Sequence, residues 1–188
     1  MININEFLQQ QYQQTCDTVS DINEHLPVLR DFANRCTHVT EMGVRDGFSS
    51  RAFLSSKAKS FRLYDRLYFT DMSAFVEQCA SAGIDVQYHI ADVLEIEIEP
   101  TDMLFIDTWH TYEQLRAELF RHASRVKRFI AFHDTYTFGL KDELPGSGGG
   151  LIQALLEYLV YDPNWRFVYH THRNNGLTIL ERTNNWCR

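Results

Sequence analysis

Five apolar runs in this chain end on or beside an acidic residue: Glu41, Asp65, Asp92, Asp107 and the pair His133-Asp134. Any one of these alone would be an ordinary solvated loop acid. All five on one rim would repel one another unless something polar or cationic sat among them. The densest chemistry lies in Asp107-Thr108-Trp109-His110-Thr111-Tyr112 and Phe132-His133-Asp134-Thr135. Beside the first acid, the stretch from Val39 to Ser50 places Gly43 and Gly47 between a β-branched run and a segment able to start a helix, Phe48 to Leu54. A strand, a tight glycine turn and a helix N-terminus bring backbone N–H groups close to a polar ligand. A chain built around such a turn reads as a binder of a nucleotide-type cofactor.

These residues need a sheet to hold them. Thr37 to Met42, Ser60 to Asp65, Asp85 to Ala91, Asp102 to Asp107 and Arg128 to His133 read as strands. The last two are continuous apolar runs, as expected for strands buried on both faces. Helices are expected at Asn23 to Cys36 (capped by Asn23, with Pro27 near its start), from the glycine turn to about Ser56, and at Thr70 to Ala82, Thr111 to Val126 and Leu151 to Tyr161. Phe7, Leu8 and Tyr12 mark a surface helix, or an extension packing on the core, within residues 1–19. Trp165 to His172 and Leu177 to Arg182, joined through Asn175-Gly176, read as an antiparallel hairpin. The expectation is a single α/β domain: a helical extension over 1–36, then a mostly parallel, Rossmann-like core over 37–188 with a C-terminal hairpin and helices on both faces. In such a sheet, ligands bind beyond the carboxyl ends of the strands, where the five acids fall.

The chain has 188 residues, 44% hydrophobic and 23% charged, with a formal net charge of −7. That balance argues against nucleic acid. The basic cluster Arg121, Arg125, Lys127 and Arg128 reads as a solvated helix end. Cys16, Cys36, Cys79 and Cys187 are scattered without a C-x-x-C pair, which suits free thiols in a reducing compartment. With no signal-like N-terminus and no run of ~18 apolar residues, a soluble cytoplasmic protein is expected, without a membrane partner and compatible with a homo-oligomer.

The pattern Glu41-x-Gly43-x-x-x-Gly47, with Asp65, Asp92 and Phe105-Ile106-Asp107 after successive strands and a terminal hairpin, resembles class I S-adenosylmethionine-dependent methyltransferases over roughly Asn23 to Arg182. The resemblance implies that Glu41, Gly43, Gly47 and Ser49 cradle the methionine part of S-adenosylmethionine. It also implies that Asp65 accepts from the ribose hydroxyls, that Asp92 takes the adenine amino group, and that Asp107 borders the cofactor. Arg45 and Asp46 stand where the commoner G-x-G turn is tighter, and Asp92 reads equally as a turn residue. The segment from Asp107 to His110 further resembles metal-dependent sugar O-methyltransferases and the related cephalosporin-hydroxylase-like group. There, the fourth-strand aspartate and an acidic pair after the fifth strand hold a divalent cation. This implies Asp107, His133 and Asp134 as metal ligands, with His133 standing where the group has a glutamate.

Neighbouring strands lie ~4.8 Å apart, so ends four and five can share an ion. Oxygen ligands favour Mg²⁺, and a histidine ligand shifts preference toward Mn²⁺, Fe²⁺ or Zn²⁺. His133 reads equally as a core histidine. His110 is the expected general base for a hydroxyl on a small, sugar-like acceptor, with a helix-capping role as the alternative. The loop Pro145 to Gly150 reads as a lid, an anion nest or a plain connection, and Trp109, Tyr136 and Phe138 as walls of an acceptor pocket. The competing functions are a metal-dependent hydroxylase or hydrolase and an inactive cofactor-binding module.

Overall fold

In a computed structural model describing residues 3–144 and 148–183, the chain divides into two compact units, Met1–Ile96 and Glu97–Arg188. The first unit begins with α1 (Ile4–Asp17), started by Asn3, whose Oδ1 accepts the Asn5 N–H at 3.0 Å. The expected helix from Asn23 to Cys36 is shorter. Asn23–His25 forms a 3₁₀ turn, and α2 itself spans Leu26–Ala33 with Pro27 in its first turn. Proline is tolerated there because its missing N–H would have had no helical partner. Asn23 does not cap; its side chain accepts from the Ser20 N–H and donates to the Cys16 carbonyl.

The strands β1 (His38–Met42), β2 (Ser60–Asp65) and β3 (Asp85–Ile90) run parallel in the order β3-β2-β1. Their register sets Met42 beside Tyr64 and Asp65 beside Ile90. Gly43, Asp65 and Asp92 therefore leave the sheet at one rim. Helices α3 (Phe48–Leu54) and α4 (Thr70–Ser81) follow β1 and β2. Phe69 holds the cap position of α4, without a side-chain hydrogen bond. Strand β3 is the outer strand of this order, so Val86 is buried while Ile90 is 48% exposed.

In the second unit, β4 (Thr101–Ile106) lies parallel to β5 (Val126–His133), with Ile106 beside Phe132, so the chain leaves both strands together at Asp107 and His133. β7 (Leu177–Arg182) pairs antiparallel with β5, and β6 (Trp165–Thr171) pairs with β7, giving β4-β5-β7-β6. The core is built on Met103, Leu104, Phe105, Phe129, Phe132 and Ile179, all essentially without exposed surface. Each such side chain contributes roughly 1.5–3 kcal/mol on burial. Helix α5 (Tyr112–His122) is capped by the Thr111 hydroxyl, which accepts the Gln114 N–H at 3.2 Å, so His110 is not the cap. A 3₁₀ turn, Ala123–Arg125, replaces the end of the helix expected to reach Val126. Helix α6 spans Leu151–Tyr161.

The turn between β6 and β7 folds back onto the segment after β5. Asn174, Asn175 and Gly176 all have positive φ, and the Asn175 carbonyl accepts the N–H groups of Tyr136 and Thr137 at 2.9 and 3.0 Å. A Cβ on Gly176 would fall 2.4 Å from the Tyr136 nitrogen, so the close approach requires glycine.

Cys16, Cys36 and Cys79 are free thiols, while Cys187 lies outside the described residues. Arg125 pairs with Glu97 at 2.9 Å. No helix among the described residues is long and apolar enough to cross a membrane.

Candidate functional site

The glycine turn of the first unit is held from two sides. Asp65 Oδ2 accepts the N–H groups of Val44 and Arg45 at 2.8 and 3.0 Å, and Oδ1 accepts that of Leu67 at 2.9 Å. The acid expected to face a ribose thus also fixes the shape of the turn. Gly43 and Gly47 have φ of 86° and 71°, and a Cβ on Gly47 would fall 2.2 Å from Met72 Sδ. Glu41 has no exposed surface. Its carboxylate accepts the hydroxyls of Ser49 and, at 2.5 Å, Ser50, both in the first turn of α3. Glu41 and Ser49 therefore tie strand to helix beneath the turn. Asp92 Oδ1 accepts the Leu94 N–H at 2.9 Å, and Oδ2 lies 3.6 Å from Arg66 Nε. Leu67, Tyr68 and Ile90 expose large apolar surfaces near Asp65 and Asp92.

The second unit gathers the remaining predicted residues. His110 Nε2 lies 3.2 Å from Asp107 Oδ1 and 2.9 Å from Asp134 Oδ2, and His133 Nδ1 lies 3.3 and 3.5 Å from the same two oxygens. One donor atom each from Asp107, His110 and Asp134 lies within 4.8 Å of the others. His133 is 2% exposed, so it is both a core side chain and a neighbour of both carboxylates. Asp134 is 4% exposed and left-handed at φ 58°, and its Oδ1 has no hydrogen-bond partner. The chemistry of this donor set, two carboxylate oxygens and an imidazole nitrogen from Asp107, Asp134 and His110, is one that divalent cations take.

Electrostatics follow from the mutual pairing. Burial opposes charge on His110, but hydrogen bonds to Asp107 and Asp134 and their charges push its pKa up to about 10. Burial likewise opposes charge on His133, and the charge and hydrogen bond of Asp107 raise it to about 9. Burial alone would raise Asp107; the His133 charge and the hydrogen bonds of both imidazoles hold it well below the usual carboxylate range.

Five residues around the cluster had no role assigned from the sequence. Glu143 Oε2 lies 3.1 Å from His110 Nδ1, and the Asn174 carbonyl lies 3.3 Å from His133 Nε2. Thr108 donates its hydroxyl to buried Glu118 at 2.6 Å, pinning the segment after Asp107 to α5. Asp142 Oδ1 accepts the N–H groups of Tyr112 and Gly150, joining the starts of α5 and α6. A loop acid and a backbone carbonyl carry no periodic signal; only Glu118, an acid on the apolar side of a predicted helix, could have been flagged.

Trp109 and Tyr136 are exposed near the cluster, and Phe138 stacks on His110. Trp109 borders, with Thr108, His110, Glu118 and His133, a small recess partly open to solvent. At the N-terminus of α6, the anion-nest reading meets N–H groups that are already engaged. The N–H groups of Gly150, Leu151 and Ile152 are already taken by Asp142 Oδ1 and the carbonyls of Phe138 and Gly139. Residues 145–147 of that loop lie outside the described residues.

No protein-family model matches the chain. It is 33% identical over 99 residues to the reducing polyketide synthase ppsB of Aspergillus oryzae, a match covering 52% of this chain and only 4% of that protein. Among solved structures it is similar to an O-methyltransferase from Bacillus cereus in complex with S-adenosylhomocysteine (TM-score 0.64, 14% identity, 97% of this chain and 92% of that one). It is also similar to TomG, an O-methyltransferase of Streptomyces achromogenes involved in tomaymycin synthesis, in complex with S-adenosylmethionine (0.63, 15%, 97% and 91%). A third is the N-methyltransferase NodS of Bradyrhizobium japonicum in complex with S-adenosylhomocysteine (0.62, 12%, 96% and 99%). Oxygen and nitrogen methylation both occur on this architecture, so the fold by itself does not choose the acceptor atom. The chain has the Rossmann-like fold of the class I S-adenosylmethionine-dependent methyltransferases, mostly parallel with an antiparallel C-terminal hairpin.

Proposed function

We propose that this chain is an S-adenosylmethionine-dependent methyltransferase that methylates a hydroxyl of a small, sugar-like acceptor with the help of a divalent cation. The observation that carries the metal-assisted reading is the convergence of Asp107, His110 and Asp134 donor atoms over a buried, half-satisfied carboxylate. The cofactor half rests on the fold and on the first-unit rim.

Asp65 keeps lone pairs beyond its three backbone bonds and offers two oxygens to a ribose diol. Exposed Leu67, Tyr68 and Ile90 suit the flat face of adenine beside Asp92. The turn from Gly43 to Gly47 borders the methionine part, supported from beneath by Glu41 and Ser49. The cofactor supplies an electrophilic sulfonium methyl. Asp107 and Asp134 would hold the divalent cation, which would supply Lewis acidity toward an acceptor hydroxyl. Trp109 and Tyr136 wall the acceptor and exclude water, and most of the acceleration comes from positioning. His110, assigned from the sequence as base, has its pKa pushed up to about 10 by Asp107 and Asp134, which suits an ion pair with those carboxylates better than a proton acceptor.

Calorimetry with S-adenosylhomocysteine tests the cofactor half. Micromolar binding, weakened at least about tenfold by Asp65→Ala, is expected; a folded chain with no binding sinks the reading. A screen of sugar hydroxyls and, given the partial likeness to a polyketide synthase, polyketide hydroxyls then identifies the acceptor.

A further inference from the structure

The glycine turn of the first unit is tied to α1 through one side chain of α3, Arg51. Its Nη1 donates to the carbonyls of Asp46 and Gly47 at 2.6 and 2.9 Å, and its Nε donates to Gln11 Oε1 on α1 at 3.3 Å. The guanidinium lies over the ring of Phe75 on α4, 4.7 Å from its centroid, and Phe7 of α1 meets the same ring. Burial draws the pKa of Arg51 below the usual arginine value, against the pull of the Asp46 charge, so these bonds offset a desolvation cost. A second pair repeats the arrangement at the far end of α3, where Arg30 Nη2 donates to Gln9 Oε1 at 2.6 Å and to the Ser55 carbonyl at 3.0 Å. The opposite half of the turn is held elsewhere. Asp65 takes the N–H groups of Val44 and Arg45, and the Arg45 guanidinium pairs with Asp21 at 3.0 Å. Arg45 and Gly47 sit at φ 47° and 71°, a conformation that persists only while its surroundings fix it. Fixing a carbonyl fixes its whole planar peptide unit, so Arg51 sets the course of the chain from Asp46 to Phe48.

We propose that Arg51 is a positioning residue for the cofactor turn and that α1 acts on the adenosyl cofactor through it, so that seating of α1 and cofactor binding strengthen each other. The proposal rests on the methyltransferase reading for the ligand, though not for the tie between helix and turn. With Gln11 and Phe75 in place, the guanidinium is held from two directions and keeps both carbonyls on its own side of the turn. When α1 lifts, Arg51 loses Gln11, water competes for its N–H groups, and the left-handed residues of the turn relax. Arginine suits the task because its planar fork presents donors in fixed directions, whereas a lysine ammonium is a single point. Coupling between two sites is reciprocal, so a cofactor that favours the set turn also favours docked α1.

The test follows the full chain and its Arg51→Met, Arg51→Lys and Gln11→Ala variants by amide hydrogen exchange without ligand and by calorimetry with S-adenosylhomocysteine. In the ligand-free chain, Arg51→Met speeds exchange of the amides from Gly43 to Phe48 at least about fivefold. It weakens S-adenosylhomocysteine binding at least about tenfold, and Arg51→Lys restores part of the loss. Gln11→Ala weakens binding about threefold alone and not at all beside Arg51→Met, the non-additivity expected when one residue acts through the other. The ligand in turn slows exchange along α1 in the unmutated chain. Thermal melting checks folding, and Arg51→Lys, with a smaller effect of the same sign, replaces an Arg51→Met chain that fails it. Unchanged exchange in the turn, unchanged affinity in Arg51→Met, or a Gln11→Ala effect that persists beside it overturns the proposal. The two readings fail separately. Ligand bound, with Arg51→Met silent in both measurements, defeats this one alone; a turn that loosens in a chain binding no ligand defeats the methyltransferase assignment and leaves the tie.

Discussion

The imidazole of His110 lies flat against the ring of Phe138, with 4.9 Å between centroids. The contact leaves the imidazole edge facing Asp107 and Asp134. Phe138→Ala is expected to cost about 1 kcal/mol for the stack, beyond the lost burial, in urea unfolding. An unchanged unfolding free energy would mean that Glu143 and the carboxylates hold the ring without help.

The metal-free protein should lose stability as the solution becomes alkaline. His110 and His133 have folded pKa values raised to about 10 and about 9. Their contribution is complete below the ordinary histidine value near ~6.5 and disappears as pH climbs through those raised values. Asp107 is depressed, so its share is present above the ordinary carboxylate value near ~3.9 and is lost as pH falls. Melting temperature in chelator should peak between about pH 4 and 6.5 and decline toward 10. A rise between pH 7 and 9 would contradict the ion pairing.

Asp134 holds φ 58°, where most side chains are strained. Asn tolerates this region better than Ala. Asp134→Asn should therefore unfold at about 1 kcal/mol higher free energy than Asp134→Ala, although both lose the charge. Equal stabilities would show that the backbone relaxes.

The sequence was informative where one local pattern decided the outcome. Ser60–Asp65, Leu151–Tyr161 and Leu177–Arg182 begin and end where expected, since each is a strong run closed by turn residues or an acid. The helix expected from Asn23 fell short because Asn23 bonds Ser20 and Cys16 instead of capping. At the site, the strand ends and Asp107, His110, His133 and Asp134 could be read from spacing. Their outer partners could not: Glu143 lies 33 residues beyond His110, and Asn174 contributes only a main-chain oxygen. Glu41 read as a strand-tip acid that cradles the cofactor, because nothing local announces that two helix hydroxyls cover it.

Glu41→Ala should lower unfolding free energy by about 3 kcal/mol, from two charge-assisted hydrogen bonds and a small cavity. Ser50→Ala, removing one of those bonds, should cost less than half as much. If denaturant titration finds Glu41→Ala neutral, the carboxylate is not the tie between β1 and α3.

Gly47→Ala should destabilise by about 2 kcal/mol or more, since the added methyl meets Met72 in a left-handed turn. Met72→Ala in the same chain should recover part of that loss in thermal melts, leaving the conformational share.

The turn at Asn174 to Gly176 reaches across 41 residues of sequence to orient His133. Long-range closure of this kind comes late in folding. His133 therefore takes its final orientation only once the hairpin has closed against β5.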